Sequence, residues 1–339
     1  MKLSRALIPA SLLTSFSIAH GQQAAIQQLQ NMQQQQLSMP QPELRTGTNA
    51  PELYTGENED IGPQHVLRVG TSEAPRRRYF DGQLDTQIFY TDNANYSGSH
   101  ERVSSWVFVN TVQAAFAPDP FNLGPGKFAP ALGFSSQWYN YTDNRMSPLD
   151  FDAQTAFANL RYLLGYWQFG VGVNYTRLLS QDGYNSTYDE WLPNMDVQRI
   201  IPVTTATAFI IGDAMSYHFS EVPQLLLPTL PPSFAPARSD INDHFDNTAY
   251  VTFNWQPTAH LTVQPFYRFQ YSNYKNATVP GSIRNDYLNA FGITLIYNFN
   301  QYISARAFYS YTTKSSDDAL SPSYDEMNGG VGATLEIKF

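Results

Sequence analysis

The sequence predicts an all-β fold, a single antiparallel transmembrane β-barrel of about 12 strands preceded by a signal peptide and a disordered Gln-rich segment. Three observations support this prediction. The composition is rich in aromatic and poor in charged residues, hydrophobic residues alternate with a period of two over most of the chain, and the alternating segments are long. The predicted organisation is a signal peptide over 1–21, a polar N-terminal segment over 22–79 and a barrel over 80–339.

Composition separates this chain from soluble enzymes and from helical membrane proteins. Aromatic residues make up 14% of the 339 residues and charged residues also only 14%, against roughly 25% charged in an ordinary soluble domain. Past the N-terminus, no stretch approaches the ~20 continuous apolar residues of a membrane-spanning helix. The net charge of -9 and the lack of a basic stripe exclude nucleic-acid binding. Zero cysteines exclude disulfides and cysteine nucleophiles.

The N-terminus has the pattern of a cleaved secretory signal. Lys2 and Arg5 precede an apolar run from Ala6 to Ala19, and the small residue Gly21 marks the predicted cleavage site. Such a signal predicts export through the inner membrane, and therefore a compartment outside the cytoplasm.

The Gln-rich stretch after the signal carries too few apolar side chains to build a core. We therefore predict a largely disordered periplasmic tail. The alternative is a short helical oligomerisation segment, because Ile26, Leu29 and Leu37 sit near heptad spacing.

Strand length distinguishes a membrane barrel from a soluble β-sandwich, which also shows alternation. In the clearest segment, Trp167 to Tyr175, aromatic and branched residues alternate with Gln, Gly and Asn. The alternating segments run for ~9 to 15 residues, whereas soluble strands have a mode of ~5 to 6 and a tilted membrane strand needs ~9 to 11. The lengths therefore favour the barrel.

Connections alternate between short and long, as in barrels with tight periplasmic turns and long outer loops. Short connections are predicted at Gly165-Tyr166, Pro257-Thr258 and Asn300-Gln301, and long ones at Ser180 to Asp196 and Glu221 to Asp243. All the short turns should lie on the periplasmic side, so an even number of strands must separate one short turn from the next. The region from Val197 to Val222 is therefore divided into two strands by a tight turn predicted at Ile211-Gly212-Asp213.

The last ten residues, Gly330 to Phe339, place alternate apolar side chains and the terminal Phe339 on one face. This segment resembles the closing strand of bacterial outer-membrane β-barrel proteins, the porin-like class, which end on an aromatic residue. The resemblance implies an outer-membrane location, delivery to the barrel assembly machinery through Phe339, and contact with membrane lipid and lipopolysaccharide.

The barrel interior supplies the candidate functional residues. If the aromatic face points to lipid, several polar side chains point inward, because a charge on the lipid face costs ~2 to 4 kcal/mol for Arg at the midplane. Inward arginines would favour anionic or polar solutes, and the alternative is a structural network that fills the interior. The lumen and selectivity candidates are Arg161, Arg268, Arg306, Gln264, Gln270 and Glu336.

The function that these features predict is passive diffusion of small polar or anionic solutes through a porin-like channel that has no cofactor. The first alternative is a non-conducting structural or surface-binding barrel. The second is a barrel lipid hydrolase, with His100, His218 or His244 near Ser99, Ser216 or Asn247. No motif ties a histidine to a nucleophile, so we predict no enzyme. Acidic residues, among them Glu190 and Asp246, crowd the predicted outer loops without an ordered ligand pattern, so no metal ligand is assigned.

Overall fold

The computed structural model describes residues 26, 51–56, 64–69, 79–98, 102–147, 150–181, 185–204, 206–222, 239–276, 283–300, 302–318, 321 and 323–338. Ahead of the barrel, β1 (Pro51–Gly56) and β2 (Gln64–Val69) pair as an antiparallel hairpin. The predicted signal peptide, His100 and Phe339 lie outside the described residues. No helix among the described residues is long and apolar enough to cross a membrane.

Twelve long strands form one closed antiparallel barrel. These strands are β3 (Phe80–Thr91), β4 (Ser105–Phe116), β6 (Gly126–Tyr141), β7 (Phe151–Leu164), β8 (Trp167–Ser180), β9 (Ser186–Thr204), β10 (Thr207–Glu221), β11 (His244–Trp255), β12 (Leu261–Tyr274), β13 (Arg284–Asn298), β14 (Ile303–Ser316) and β15 (Tyr324–Lys338). The three-residue strand β5 (Phe121–Leu123) forms a hairpin with the start of β6. Pairing of β15 with β3 and of β4 with β6 closes the ring, so the wall has no open edge.

The two faces of the wall differ as the sequence alternation predicts. Buried and exposed residues alternate along β4, and its exposed set includes Trp106, Phe108 and Val112. A polar interior and an apolar exterior reverse the arrangement of a soluble protein and are typical of a barrel in lipid.

Exposed aromatic side chains lie at both ends of the barrel, where aromatic girdles mark the two interfaces of a bilayer. One end carries the short connections at 165–166, 205–206, 256–260 and 299–302, and we call it the short-turn end. We call the other end the long-loop end. Aromatics at the short-turn end are Phe80, Phe116, Tyr166, Trp167, Trp255, Tyr297 and Tyr302, and those toward the long-loop end are Tyr90, Trp106, Trp191, Phe219, Phe245 and Tyr287.

The strand number and the three predicted short turns are confirmed, but the division of the region before Val222 was wrong. The structure makes the turn between Thr204 and Thr207, and β10 runs unbroken through Gly212. The predicted long loop from Ser180 to Asp196 is also wrong over most of its length, because β9 begins at Ser186.

Gly212 lies in mid-strand because a neighbouring side chain occupies the space where its own would be. Tyr250 is its cross-strand partner on β11, and a Cβ added at Gly212 would lie 2.3 Å from the Tyr250 ring. The Tyr250 hydroxyl donates to Gln198 on β9 at 3.1 Å, so this ring spans three strands inside the barrel.

We expect Gly212→Ala to lower the free energy of unfolding by about 1–3 kcal/mol, because the added methyl overpacks the Tyr250 ring. Urea unfolding of the refolded barrel measures this loss. Gly82→Ala is the matched control, since its nearest non-neighbour atom lies 3.8 Å from the added Cβ. Equal effects of the two substitutions would contradict the packing explanation, and Tyr250→Ala added to Gly212→Ala should remove most of the overpacking.

Candidate functional site

The barrel interior is lined by polar side chains that are nearly all buried. Inward-facing glutamines such as Gln87, Gln168 and Gln198 are each 1% exposed. Neighbouring strands connect through these side chains, for example where Gln198 Nε2 donates to Gln168 Oε1 at 2.5 Å. The interior is therefore organised as a hydrogen-bonded network.

Arg306 and Arg161, two of the predicted lumen residues, each lie against an inward carboxylate. Arg306 makes a two-pronged ion pair with Asp85, at 2.5 and 2.6 Å, and also donates to Gln87 and Thr334. Both members of this pair are buried, and a buried charge is tolerated when it is paired and hydrogen-bonded.

The second pair is looser. Arg161 Nη2 lies 3.6 Å from Asp196 Oδ1. Gly170 on β8 leaves the space for this carboxylate, because a Cβ there would lie 2.1 Å from Asp196 Oδ1. Glycine on an inward position therefore makes room for a larger neighbour, in addition to lining the lumen.

The remaining predicted residues also lie on inward strand positions. Arg268 and Gln264 are buried on β12, and Gln270 donates to Asp246 at 3.0 Å. Glu336 is half-buried near the short-turn end of β15. Their effect on solute selectivity stays a prediction.

Flat side chains from four neighbouring strands form a stacked column toward the long-loop end. His218, His244, Tyr274 and Arg284 are successive cross-strand partners on β10, β11, β12 and β13. The two imidazole rings stack at 3.9 Å, His244 stacks on Tyr274 at 4.4 Å, and the Arg284 guanidinium lies 3.6 Å from the centre of the Tyr274 ring. We call these four residues the stacked column.

A row of hydroxyl and carboxylate groups lies one inward step below the stacked column. Ser216, Asp246, Ser272 and Asp286 are successive cross-strand partners on the same four strands. Asp286 pairs with Arg284 at 2.8 Å and with Lys314 at 2.9 Å.

The histidine end of the stacked column meets two carboxylates. His218 Nδ1 lies 2.7 Å from Glu190 Oε1, and His218 Nε2 lies 3.1 Å from Asp246 Oδ2. His244 Nε2 lies 3.4 Å from the same Asp246 oxygen, and its Nδ1 donates to the Asn242 carbonyl at 2.6 Å. All four of these side chains are buried.

The geometry also tests the hydrolase alternative. Ser216 Oγ lies 3.4 Å from His218 Nε2, and Glu190 holds the other ring nitrogen, which has the outline of a catalytic triad. Asp246 Oδ2 lies closer to the same Nε2, at 3.1 Å, and therefore competes with the serine hydroxyl for this nitrogen. Asn247 faces the opposite side of the wall and donates to Asp213.

The stacked column and its acidic neighbours were not predicted from the sequence. Glu190 and Asp246 were assigned to outer loops, but both are inward residues of strands. The alternation within each strand predicts which of its residues point inward. It does not predict the register that aligns residues of four strands.

A cluster of apolar side chains also lies inside the barrel, and one residue of the N-terminal segment belongs to it. Ile26 is helical, 4% exposed, and packs in a cluster of buried, inward residues that includes Phe89, Val107 and Tyr139. The N-terminal segment therefore contacts the barrel interior at this residue.

Charged residues outside the strands pair at the long-loop end. Lys275 lies 3.0 Å from Asp240 and 3.2 Å from Asp243, and hydrogen bonds to these carboxylates raise its pKa. Asp143 accepts hydrogen bonds from the Arg145 side chain and backbone, which lower the pKa of Asp143 to about 2. Asp243 also accepts from Ser220, so the loop is tied to the end of β10.

The closed wall, the exposed apolar face and the polar interior define a transmembrane β-barrel of the bacterial outer-membrane class. No family model matches the chain, and no curated protein matches it in sequence. Among solved structures, it is similar to the COG4313 outer membrane channel from Pseudomonas putida F1, with a TM-score of 0.50 and 9% identity over 80% of this chain and all of that one.

Two further solved structures that match are porins. One is the KdgM porin in complex with disordered oligogalacturonate, at a TM-score of 0.39 and 9% identity, over 75% of this chain and 98% of that one. The other is the NanC porin, at a TM-score of 0.39 and 13% identity, over 74% of this chain and 98% of that one.

We expect Asp85→Ala to destabilise the barrel by about 3–5 kcal/mol, because it leaves the buried Arg306 guanidinium without its carboxylate. Urea unfolding of the refolded protein measures the loss. The double substitution Asp85→Leu with Arg306→Met should recover most of it, because both charges are removed together. Asp143→Asn, in an exposed pair, is the control and should leave unfolding unchanged. An equally stable Asp85→Ala protein would contradict a buried pair.

Proposed function

We propose that the protein works in the bacterial outer membrane as a porin-like channel through which small polar solutes diffuse without cofactor or turnover. The observation that supports a channel is a set of buried inward polar atoms that have no hydrogen-bond partner among the described residues. This set includes both amide atoms of Asn254 and two guanidinium nitrogens of Arg161. Buried polar atoms without protein partners are the positions that ordered water satisfies, and a hydrated interior is the medium for polar solutes.

Export, assembly and contacts with the membrane belong to the same proposal. Residues 1–21 would direct export and be removed, and Phe339 would address the chain to the barrel assembly machinery. The exposed apolar band would contact lipid, and the acidic residues at the long-loop end would bridge through cations to lipopolysaccharide.

A second candidate, a non-conducting barrel, is favoured by a different observation. The inward side chains are nearly all buried, and Ile26 of the N-terminal segment packs among them. In that case the interior would be a structural core, and function would lie at the outer surface.

Single-channel recording in a planar bilayer separates the two candidates. We expect discrete conductance steps from the wild type. Ile26→Asp, which puts a carboxylate against the apolar cluster, should weaken this contact and increase the conductance, and the volume-conserving Ile26→Leu should leave it unchanged. Silence from the wild type and from Ile26→Asp would contradict the channel and favour the structural barrel.

The buried pair of Arg306 and Asp85 provides a test of selectivity. Arg306→Gln removes one positive charge from the interior and should shift the reversal potential in the direction of greater cation selectivity. Asp85→Asn removes a negative charge and should shift it in the direction of greater anion selectivity. The double substitution restores the charge balance and should return the reversal potential to that of the wild type. Unchanged selectivity in both single variants would place the pair away from the path of permeating ions.

A further inference from the structure

The histidine end of the stacked column brings together nitrogen and oxygen donors that a divalent metal ion uses as ligands. One ligand atom each from His218, His244 and Asp246 lies within 4.8 Å of the other two. These residues come from two neighbouring strands, β10 and β11, in which His218 and His244 are direct cross-strand partners.

Hydrogen bonds hold the Nδ1 atom of each ring, so the Nε2 atoms beside Asp246 are the nitrogens that a metal ion would take, with release of any Nε2 proton. Glu190 holds Nδ1 of His218, and the Asn242 carbonyl holds Nδ1 of His244. Both Nε2 atoms therefore face Asp246 Oδ2, at 3.1 and 3.4 Å. A histidine ligand whose other nitrogen is held by a carboxylate or a carbonyl is the usual arrangement around protein-bound metals.

Charge and burial point to the same conclusion. Glu190 and Asp246 bring two carboxylates into a place where both side chains are fully buried. Glu190 Oε2 has no hydrogen-bond partner in the described part of the chain. A divalent cation bound by neutral imidazoles would neutralise this pair of charges.

We propose that His218 Nε2, His244 Nε2 and Asp246 bind a divalent transition-metal ion of the Zn²⁺ type, with Glu190 as the residue that positions His218. Two imidazoles and one carboxylate select ions of this kind over Mg²⁺ and Ca²⁺, which prefer all-oxygen sites. Bound there, the ion joins β10 to β11 where the loop that begins at Val222 leaves the wall. The ion would cross-link two strands at the long-loop end of the barrel. This is a structural role separate from the passage of solutes.

Zn²⁺ binding to the full-length barrel, refolded in detergent after chelator treatment, tests the proposal. Competition with a chromophoric chelator should give one high-affinity Zn²⁺ per wild-type chain, whether the ion is added during or after refolding. His244→Gln and Asp246→Asn should each weaken binding by at least about 10-fold, and Glu190→Gln by about 10- to 100-fold. His260→Ala removes an exposed histidine from the short-turn end and is the matched control.

A second readout does not depend on affinity. A metal ion binds in the plane of an imidazole ring, so a shared ion must turn the two stacked rings out of parallel. Tyr274 stacks on His244. The near-ultraviolet circular dichroism of Tyr274 should therefore change on Zn²⁺ addition in the wild type and in His260→Ala.

Several results would overturn the proposal. These are no Zn²⁺ bound by the wild type, equal affinity in wild type, His244→Gln and Asp246→Asn, or a loss confined to His260→Ala. If a ligand variant fails to refold, Glu190→Gln takes its place, because it keeps all three ligands. Unchanged Zn²⁺ affinity in Glu190→Gln would contradict the positioning role of Glu190. Mg²⁺ that competes equally with Zn²⁺ would also contradict the nitrogen ligands.

Discussion

Closure of the hydrogen-bonded wall is the constraint on which the rest of this structure depends. Backbone groups in hydrocarbon have no water to bond to, so every strand must pair on both sides. Here the pairings of β15 with β3 and of β4 with β6 complete the ring. Closure then fixes which side of each strand faces lipid, because a shift of one residue would exchange the two faces.

The enclosed face determines the chemistry of the molecule. Side chains of nearby strands meet on the inner face of the wall, where charges are paired and glycines make room for larger neighbours. Gly170 and Gly212 make room for Asp196 and Tyr250, and Asp85 pairs with Arg306 from a strand two places away. The register that aligns four strands also builds the stacked column, which concentrates histidine and carboxylate groups at one end.

Most of the wall was predictable from the sequence, and much of the interior was not. Alternation from Trp167 to Tyr175 gives both the strand and its faces, because the side-chain period of a strand is two. Gly212 misled the prediction of a turn, since a glycine in a strand indicates either a turn or a close neighbour. The cluster of His218, His244 and Asp246 depends on cross-strand register, which one sequence does not contain.

Spin labelling in lipid vesicles tests the two-faced wall most directly, and the chain suits it because it has no cysteine of its own. Single cysteines placed along β8 would carry the label in turn. Labels at Val171 and Val173 should be highly accessible to oxygen dissolved in the bilayer, and labels at Asn174 and Thr176 should be shielded from it. Equal oxygen accessibility at all four positions, or release of the protein from the vesicles without detergent, would contradict a lipid-facing wall.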